Sequence, residues 1–252
     1  SNLESIKLDT KIKIISPNIE MQRYFQNEDP ILIINELIQL GKSDVEKAIF
    51  VFPEGSFPGI FLEDLYTYKK IFRENFSEKD KIVLGINSIE NSNIYNSMVV
   101  LDNNLNILEK YKKNKPVPFG EFLPFEDLFS SIGLKKITQG YISFSSHNQR
   151  EILNIDNLSF LPLICYEIIY SGRLKKNNHD FDFILNISED GWFGDSIGPH
   201  QHFAHSIFRS IEEGKNLIRS TNGGISAYID STGRIIDKIK STEKGVIEVK
   251  SY

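Results

Sequence analysis

The sequence has a single cysteine, Cys165, among its 252 residues. An intramolecular disulfide is therefore excluded, and a lone thiol suits a cytosolic enzyme as well as a periplasmic domain with a reduced nucleophile. The sequence also lacks an excess of positive charge, because its net charge is −5 and its lysines are scattered among acidic residues. A chain without a basic stripe is not expected to bind nucleic acid.

Long apolar runs are missing as well. The longest runs have the length of a strand or a helix, whereas a membrane span needs about 20 apolar residues. The first ten residues, SNLESIKLDT, have no apolar signal-peptide core. We therefore expect no transmembrane segment in this chain. Its length, with 40% hydrophobic residues, suffices for one domain with a core of its own.

Strand-like and helix-like segments alternate along the chain. Apolar or β-branched runs predict strands over residues 11–16, 48–52, 81–87, 94–102, 105–111, 158–165, 181–187, 216–220, 225–230 and 234–240. Helical spacing of apolar residues predicts helices over residues 31–40, 61–76 and 199–213. This alternation indicates an α/β fold with sheets buried between helices. Because there is no repeat and no flexible linker, residues 1–252 are interpreted as one domain.

Three segments share a pattern in which the chain delivers reactive side chains at or beyond the end of an apolar strand. The segments are AIFVFPEG with Glu54, LSFLPLICYE with Cys165 and Glu167, and the proline-stiffened loop YKKNKPVPFGE with Lys112, Lys113, Lys115 and Glu121. Strand ends in α/β sheets are the places where ligands and catalytic groups collect. The pattern therefore indicates a candidate site.

A cysteine, a glutamate and a lysine form a chemically coherent set. A thiol with a pKa near 8.5 is mostly protonated at neutral pH, so it needs activation before it can act as a nucleophile. A nearby ammonium lowers the pKa of the thiol, and a carboxylate can accept its proton. The lysine and the backbone N–H after the cysteine can then stabilise the oxyanion of a tetrahedral intermediate.

Each of these residues taken alone has a more ordinary explanation. A single cysteine at the end of an apolar strand is more often an inert core residue. Glu54 is also placed to cap a helix, and Lys113 can be a solvated loop residue. His200, His202 and His205 lie near one helix start, but no HExxH motif or cysteine pair accompanies them, so they are interpreted as packing and capping residues and no metal is expected.

The order of these motifs resembles a known superfamily. The segments FPEGSFPG, YKKNKPVPFGEFLPF, LICYEIIY and ISEDGWFGDSIGPHQHFAHSIFRSIEEGKNLIRSTNGGISAYIDSTG are similar to those of the carbon–nitrogen hydrolase (nitrilase) superfamily. Two features, CYE in place of the CYD common in amidases and the stretch WFGDSIGPHQH, narrow the resemblance to the catalytic domain of the apolipoprotein N-acyltransferases. The resemblance extends over almost the whole chain.

The resemblance implies a four-layer αββα sandwich and a catalytic triad of Glu54, Lys113 and Cys165. Lys113 is chosen over its neighbours because it stands eight residues before Glu121 (121 − 113 = 8), as in the family's K-x4-PFGE pattern. Glu121 corresponds to the second glutamate of the family, and no cofactor is expected. Substrate contacts are expected from Tyr166, Glu167, Trp192 and Phe193, with Glu121 and Glu167 also orienting the lysine and the pocket.

The resemblance also implies an N-acyltransferase of the bacterial inner membrane whose catalytic domain faces the periplasm, between membrane helices that this chain lacks. Its donor would be a phospholipid and its acceptor the N-terminal diacylglyceryl-cysteine of a lipoprotein, with a Cys165 thioester as intermediate. Membrane contact is expected through the missing spans and through apolar loops such as residues 125–134, although that loop can equally pack on the core. The chain is either an excised domain or a soluble relative.

Two other functions fit the same residues. A soluble amidase or nitrilase would use the same triad to hydrolyse a small C–N substrate, with water as the acceptor. A binding module could keep the sandwich for assembly alone, although intact Glu54, Lys113 and Cys165 argue against this.

Overall fold

The structure is a computed structural model that describes residues 10–20, 29–42, 47–57, 59–117, 144–147, 150–172, 174 and 180–249. The strands within these residues are β1 (Lys11–Ser16), β2 (Ala48–Val51), β3 (Lys81–Glu90), β4 (Asn93–Leu101), β5 (Ile107–Lys112), β6 (Leu153–Ile155), β7 (Leu158–Ile164), β8 (Phe183–Glu189), β9 (Asn216–Asn222), β10 (Ser226–Ile229), β11 (Ile235–Ile239) and β12 (Gly245–Val249). The helices are α1 (Pro30–Gly41), α2 (Lys69–Asn75) and α3 (Gly198–Glu213), with short 3₁₀ turns at Leu65–Tyr68, Cys165–Ile169 and Gly191–Phe193.

The strands form two six-stranded sheets with the same design. The first sheet has the order β12-β1-β2-β3-β4-β5 and the second β11-β10-β9-β8-β7-β6. In each sheet the central strands are parallel, β1 to β2 to β3 and β7 to β8 to β9, and antiparallel strands flank them. Parallel strands need crossover connections and cover on both faces, which explains their near-continuous apolar sequences.

Three apolar clusters separate four layers. One cluster packs α1 and α2 against the first sheet, through residues such as Leu37, Phe50 and Phe72. A second lies between the two sheets, and a third packs α3 on the second sheet through Phe203. Burial of apolar surface in these clusters is the main favourable term for the fold. The expected α/β, four-layer αββα sandwich in a single domain is confirmed.

The carboxyl ends of several strands meet at one edge of each sheet. β5 runs antiparallel to β4, which runs antiparallel to β3, so β2, β3 and β5 all point in the same direction. The segments that follow β2 and β5 therefore emerge on the same side of the first sheet. The parallel strands β7, β8 and β9 likewise end together in the second sheet. These strand ends carry the candidate catalytic residues.

The structure corrects parts of the predicted secondary structure. The helix predicted over residues 61–76 is wrong in extent, because Phe61 forms a bridge with Asn87 and the α-helix covers only Lys69–Asn75. The strand predicted over residues 158–165 ends at Ile164, one residue before the cysteine. The apolar patterns of the sequence do not predict strands β6 and β12. Among the residues that the structure describes, no helix is long and apolar enough to cross a membrane.

Candidate active site

Glu54 sits on a tight turn that follows β2. The apolar strand continues as Phe52 and Pro53, and Gly55 then adopts a φ of 61°, which a glycine tolerates without strain. The turn crosses β3 at Gly85, whose N–H donates to the Pro53 carbonyl at 3.2 Å. A Cβ atom on Gly85 would lie 2.5 Å from the Glu54 Cα atom. Only glycine therefore allows the Glu54 backbone to approach β3 this closely.

Three donors converge on the Glu54 carboxylate. Its Oε1 atom accepts hydrogen bonds from the Asn96 amide at 2.6 Å and from the Lys113 ammonium at 3.1 Å. Its Oε2 atom accepts from the backbone N–H of Glu189, at the end of β8, at 2.9 Å. The carboxylate therefore has a fixed orientation, and it connects the first sheet to the second.

Lys113 follows β5 directly and is only 1% exposed. Its backbone N–H donates to the Asn96 carbonyl at 2.8 Å, which holds the segment to β4. The buried ammonium forms an ion pair with Glu54. A buried charge of this kind is costly to desolvate unless it has a partner, so its burial beside a carboxylate is typical of a functional position.

Cys165 begins the 3₁₀ turn that follows β7 and has a φ of 50°. A non-glycine residue in the left-handed region is strained, and such strain concentrates at functional sites. The side chain is half-buried. Burial, followed by the negative charge of Glu54, raises the pKa of the Cys165 thiol well above its usual value, while the charge of Lys113 lowers it. The charges of Glu54 and Lys113 thus act on the thiol in opposite directions.

Glu167 ties the cysteine turn to the lysine segment. Its Oε2 atom accepts from the Ile164 N–H at 2.8 Å, just before the cysteine. Its Oε1 atom accepts from the N–H groups of Asn114 at 2.8 Å and Lys115 at 3.1 Å, just after the lysine. The carboxylate is fully buried, so all its contacts are within the protein. One buried carboxylate therefore connects the residue before the cysteine to the two residues after the lysine.

A second buried charge network lies beneath the cysteine. Arg219 on β9 donates to Asp190 Oδ2 at 2.8 Å, and His202 on α3 lies 2.9 Å from Asp190 Oδ1. Burial alone would raise the pKa of Asp190, but the charge of Arg219 and the hydrogen bond to His202 outweigh it, and the pKa falls to about 2. The other ring nitrogen of His202 lies 3.3 Å from the carbonyl oxygen of Cys165.

Apolar side chains are exposed close to this network. Trp192 and Phe193 form the 3₁₀ turn after Asp190 and are 53% and 41% exposed, and Ile197 before α3 is 65% exposed. The Phe193 ring packs edge-on against His202, with 5.7 Å between ring centroids. We call Trp192, Phe193 and Ile197 the apolar rim.

The structure therefore brings together most of the residues that the sequence singled out. Glu54, Lys113, Cys165 and Glu167 form one connected site, and Tyr166 directly follows the cysteine. Glu121 and the apolar loop at residues 125–134 lie outside the described residues. Sequence reasoning missed several buried polar residues, which are Asn96, Glu189, Asp190, His202 and Arg219. The signal that the sequence offers for two of them is the position of Asp190 and His202 within the stretch ISEDGWFGDSIGPHQH.

Comparison with known proteins identifies the family. The profile described as carbon-nitrogen hydrolase matches residues 21–250. The chain belongs to the carbon–nitrogen hydrolase family. Within it, this carbon–nitrogen hydrolase chain is similar to an apolipoprotein N-acyltransferase from Wigglesworthia glossinidia brevipalpis, with 36% identity over 91% of the chain and 47% of that protein. The chain spans about half the length of the curated relatives it matches.

Solved structures share the fold of this carbon–nitrogen hydrolase chain. An amidase from Nesterenkonia sp. AN1 has a TM-score of 0.66 at 13% identity, covering 96% of this chain and 92% of that one. A CN-hydrolase superfamily protein from Xanthomonas campestris has a TM-score of 0.65 at 13% identity, covering 97% and 91%. At this identity the likeness shows the fold alone.

Proposed function

We propose that this chain is the catalytic domain of an N-acyltransferase. In this proposal it moves an acyl chain from a phospholipid, through a thioester on Cys165, to the α-amine of the N-terminal diacylglyceryl-cysteine of a bacterial lipoprotein. The observation that carries the proposal is the buried Glu54–Lys113 pair beside the strained Cys165 turn. The similarity to apolipoprotein N-acyltransferases supports the choice of substrates.

In the first half-reaction Glu54 acts as a general base. Because the pKa of the Cys165 thiol is raised, the proton moves to Glu54 as the sulfur attacks the ester carbonyl, instead of being lost beforehand. A sulfur–carbon bond forms and the carbonyl electron pair moves to oxygen. When this intermediate collapses, the carbon–oxygen bond breaks, and the lysophospholipid alkoxide takes the proton from Glu54. A thioester remains on Cys165.

The oxyanion of the intermediate needs positive charge and hydrogen-bond donors. Lys113 supplies a buried ammonium that Glu54 and the β5 segment hold in place. The second donor is the N–H of Tyr166. Tyr166 is the second residue of a 3₁₀ turn, and the i→i+3 pattern gives that N–H no acceptor inside the turn. Donors fixed before the reaction stabilise developing charge without a cost of reorganisation.

The second half-reaction uses the same groups in the same order. The acceptor amine attacks the thioester carbonyl and gives a proton to Glu54. The carbon–sulfur bond then breaks, the amide is released, and the sulfur takes the proton back from Glu54. The enzyme returns to its starting state, which predicts ping-pong kinetics.

The apolar rim supports a lipid substrate. Its exposed aromatic and aliphatic side chains, of which Phe193 packs against His202, offer a surface for acyl chains, which a small polar amide would not need. In this proposal Trp192, Phe193 and Tyr166 contact the substrates, Glu167 positions Lys113, and Glu121 completes the site. The domain would act at the periplasmic face of the bacterial inner membrane.

The rival function is hydrolysis of a small amide by the same triad. The observation in its favour is the shared fold with an amidase from Nesterenkonia sp. AN1. The two functions differ in the acceptor, which is water for the amidase and a lipoprotein amine for the acyltransferase.

Intact-protein mass spectrometry tests the proposal. The chain and a Cys165→Ala variant are mixed with phosphatidylethanolamine in detergent, and a diacylglyceryl-cysteine peptide with a free α-amine is then added. We expect an acyl adduct that hydroxylamine removes, on the native chain only, and its transfer to the peptide.

Three results would count against the proposal. Equal acylation of Cys165→Ala would remove the cysteine from its role. An adduct that is lost to water at the same rate with and without peptide would indicate a hydrolase. Ammonia release from small amides without lipid, in the absence of any lipid adduct, would favour the amidase.

A further inference from the structure

His202 joins the buried charge network to the nucleophile. Its Nδ1 atom lies 2.9 Å from Asp190 Oδ1 and 3.2 Å from an Arg219 nitrogen, and its Nε2 atom lies 3.3 Å from the Cys165 carbonyl oxygen. The ring is 5% exposed, on the first turns of α3. The triad chemistry described above makes no use of this side chain.

The chemistry of its neighbours determines which nitrogen carries hydrogen. A carbonyl oxygen only accepts, so the Nε2 contact is attractive only when Nε2 bears a proton. The contact is at the long end of the hydrogen-bonding range. The Asp190 carboxylate also only accepts, so the 2.9 Å contact of Nδ1 is attractive when Nδ1 bears a proton. The doubly protonated ring satisfies both acceptors at once, and in that form we assign the Nε2 proton to the hydrogen bond with Cys165.

The carbonyl of Cys165 and the N–H of Tyr166 belong to the same peptide unit. That unit is planar and trans, so its C=O and N–H point in opposite directions. A donor that fixes the Cys165 carbonyl on the α3 side consequently fixes the Tyr166 N–H on the opposite side. The 3₁₀ turn uses at most one lone pair of that carbonyl, and a second remains for His202.

We propose that His202 is a positioning residue for the oxyanion site, which aims the Tyr166 N–H at the reacting carbonyl through the peptide plane that Cys165 and Tyr166 share. Asp190 and Arg219 hold the ring from behind, and Phe193 packs against its face edge-on. Cys165 has a positive φ, which is a strained backbone conformation, so this peptide unit needs a contact from outside the turn to hold its orientation. The proposal rests on acyl transfer by Cys165, but not on which acyl donor is natural.

Two substitutions separate the two contacts of the ring. The side-chain amide of asparagine reaches about as far as Nδ1, so His202→Asn keeps the Asp190 contact and loses the Cys165 contact. Glutamine places its amide near Nε2, so His202→Gln can still donate to the carbonyl. His200→Asn, an exposed position on the same helix, is the matched control.

Two reactions of the Cys165 thiol distinguish a misplaced oxyanion donor from a general disruption of the site. The burst of nitrophenolate from p-nitrophenyl butyrate reports acylation, which passes through an oxyanion. Alkylation by iodoacetamide displaces iodide directly and forms no oxyanion. For His202→Asn we expect the burst rate to fall by about 10- to 10²-fold while alkylation stays within about threefold. His202→Gln should recover most of the burst rate, and His200→Asn should match the unsubstituted chain.

Three outcomes in the variants overturn the proposal. The burst rate of His202→Asn could be unchanged, or its acylation and alkylation rates could fall by the same factor. The third outcome is a folded His202→Gln whose burst is as slow as that of His202→Asn. If iodoacetamide alkylates the unsubstituted chain but p-nitrophenyl butyrate gives no burst, the chain has no working oxyanion site, and the proposal is overturned as well. A chain that reacts with the activated ester but takes no acyl group from phospholipid contradicts the proposed substrates alone.

Discussion

The Tyr111 hydroxyl donates a hydrogen bond of 2.7 Å to the Glu167 carboxylate, and both side chains are buried. Tyr111 belongs to β5 in the first sheet, and Glu167 belongs to the cysteine turn after β7 in the second. Burial, followed by the charge of Glu167, raises the pKa of the Tyr111 hydroxyl well above its usual value, so the phenol remains a donor. This contact links the lysine segment to the cysteine turn.

Replacement of Glu167 by glutamine tests that link. Every group around the carboxylate is a donor, including the Ile164 N–H and the Asn114 N–H, so the new amide NH₂ must face a donor. We expect Glu167→Gln to destabilise the protein by about 1–3 kcal/mol and to reduce turnover. Urea denaturation and the nitrophenolate burst measure the two effects. Glu151→Gln, at an exposed position, should change neither.

A methyl group at Gly85 should disturb catalysis without filling the active site. In Gly85→Ala the new Cβ meets the Glu54 backbone, which cannot rotate away as a side chain would. Displacement of a catalytic group by about 1 Å can cost about 10²-fold in rate, and we expect a loss of this order in acylation. Gly245→Ala, whose Cβ meets only the Ile239 side chain, is the control. Full activity in Gly85→Ala would show that the turn at Glu54 adapts.

Removal of the Glu54 charge should separate thiol ionisation from catalysis. Glu54 raises the pKa of Cys165, so Glu54→Gln should shift the pH midpoint of iodoacetamide alkylation downward. The same variant loses the proposed general base and should be about 10²–10⁴-fold slower in acylation.

Lys113→Met is the complementary variant. Lys113 lowers the pKa of the thiol, so its loss should shift the alkylation midpoint upward. Midpoints that move in the same direction in both variants would contradict the assigned charges.

Asp190 should make the stability of the protein depend on pH in the acid range. Its pKa is about 2 in the folded protein and 3.8 is the ordinary value, so the folded state favours the ionised carboxylate. The stabilisation is present above about pH 4 and disappears as the pH falls towards 2, with a size on the order of 2 kcal/mol. Urea denaturation of the unsubstituted chain and of Asp190→Asn at pH 5 and pH 2 should show a smaller loss in the variant. Equal losses in both would mean that Asp190 is not linked to folding.

Most strands and helices of the fold can be predicted from apolar runs and from the spacing of apolar residues in the sequence. Apolar runs such as residues 48–52 predict buried strands because both faces of a parallel sheet are covered. Two segments depart from the prediction for local reasons. Phe61 forms a β-bridge with Asn87 of β3, and the helical spacing of apolar residues after Phe61 gives no sign of this contact. β6 has three residues, Leu153–Ile155, too few for a periodic signal.

The site was partly predictable for a similar reason. Each reactive side chain follows a strand that its own apolar sequence predicts. Glu54, Lys113 and Cys165 can therefore be selected from these positions and from the order of the motifs. The residues that hold them come from other strands and have polar side chains inside apolar surroundings. Asn96 and Arg219 have no distinguishing spacing in the sequence, and only the pairing of β4 and β9 with their neighbours brings them to the site.

The hydrogen bond from the Glu189 N–H to Glu54 crosses from one sheet to the other. Glu54 and Lys113 follow strands of the first sheet and Cys165 follows a strand of the second, so acyl transfer by the proposed mechanism depends on how the two sheets are aligned. Substitutions in the apolar layer between the sheets can therefore tune turnover without contact with any substrate. Selection on rate would then act on core residues that a survey of pocket residues would overlook.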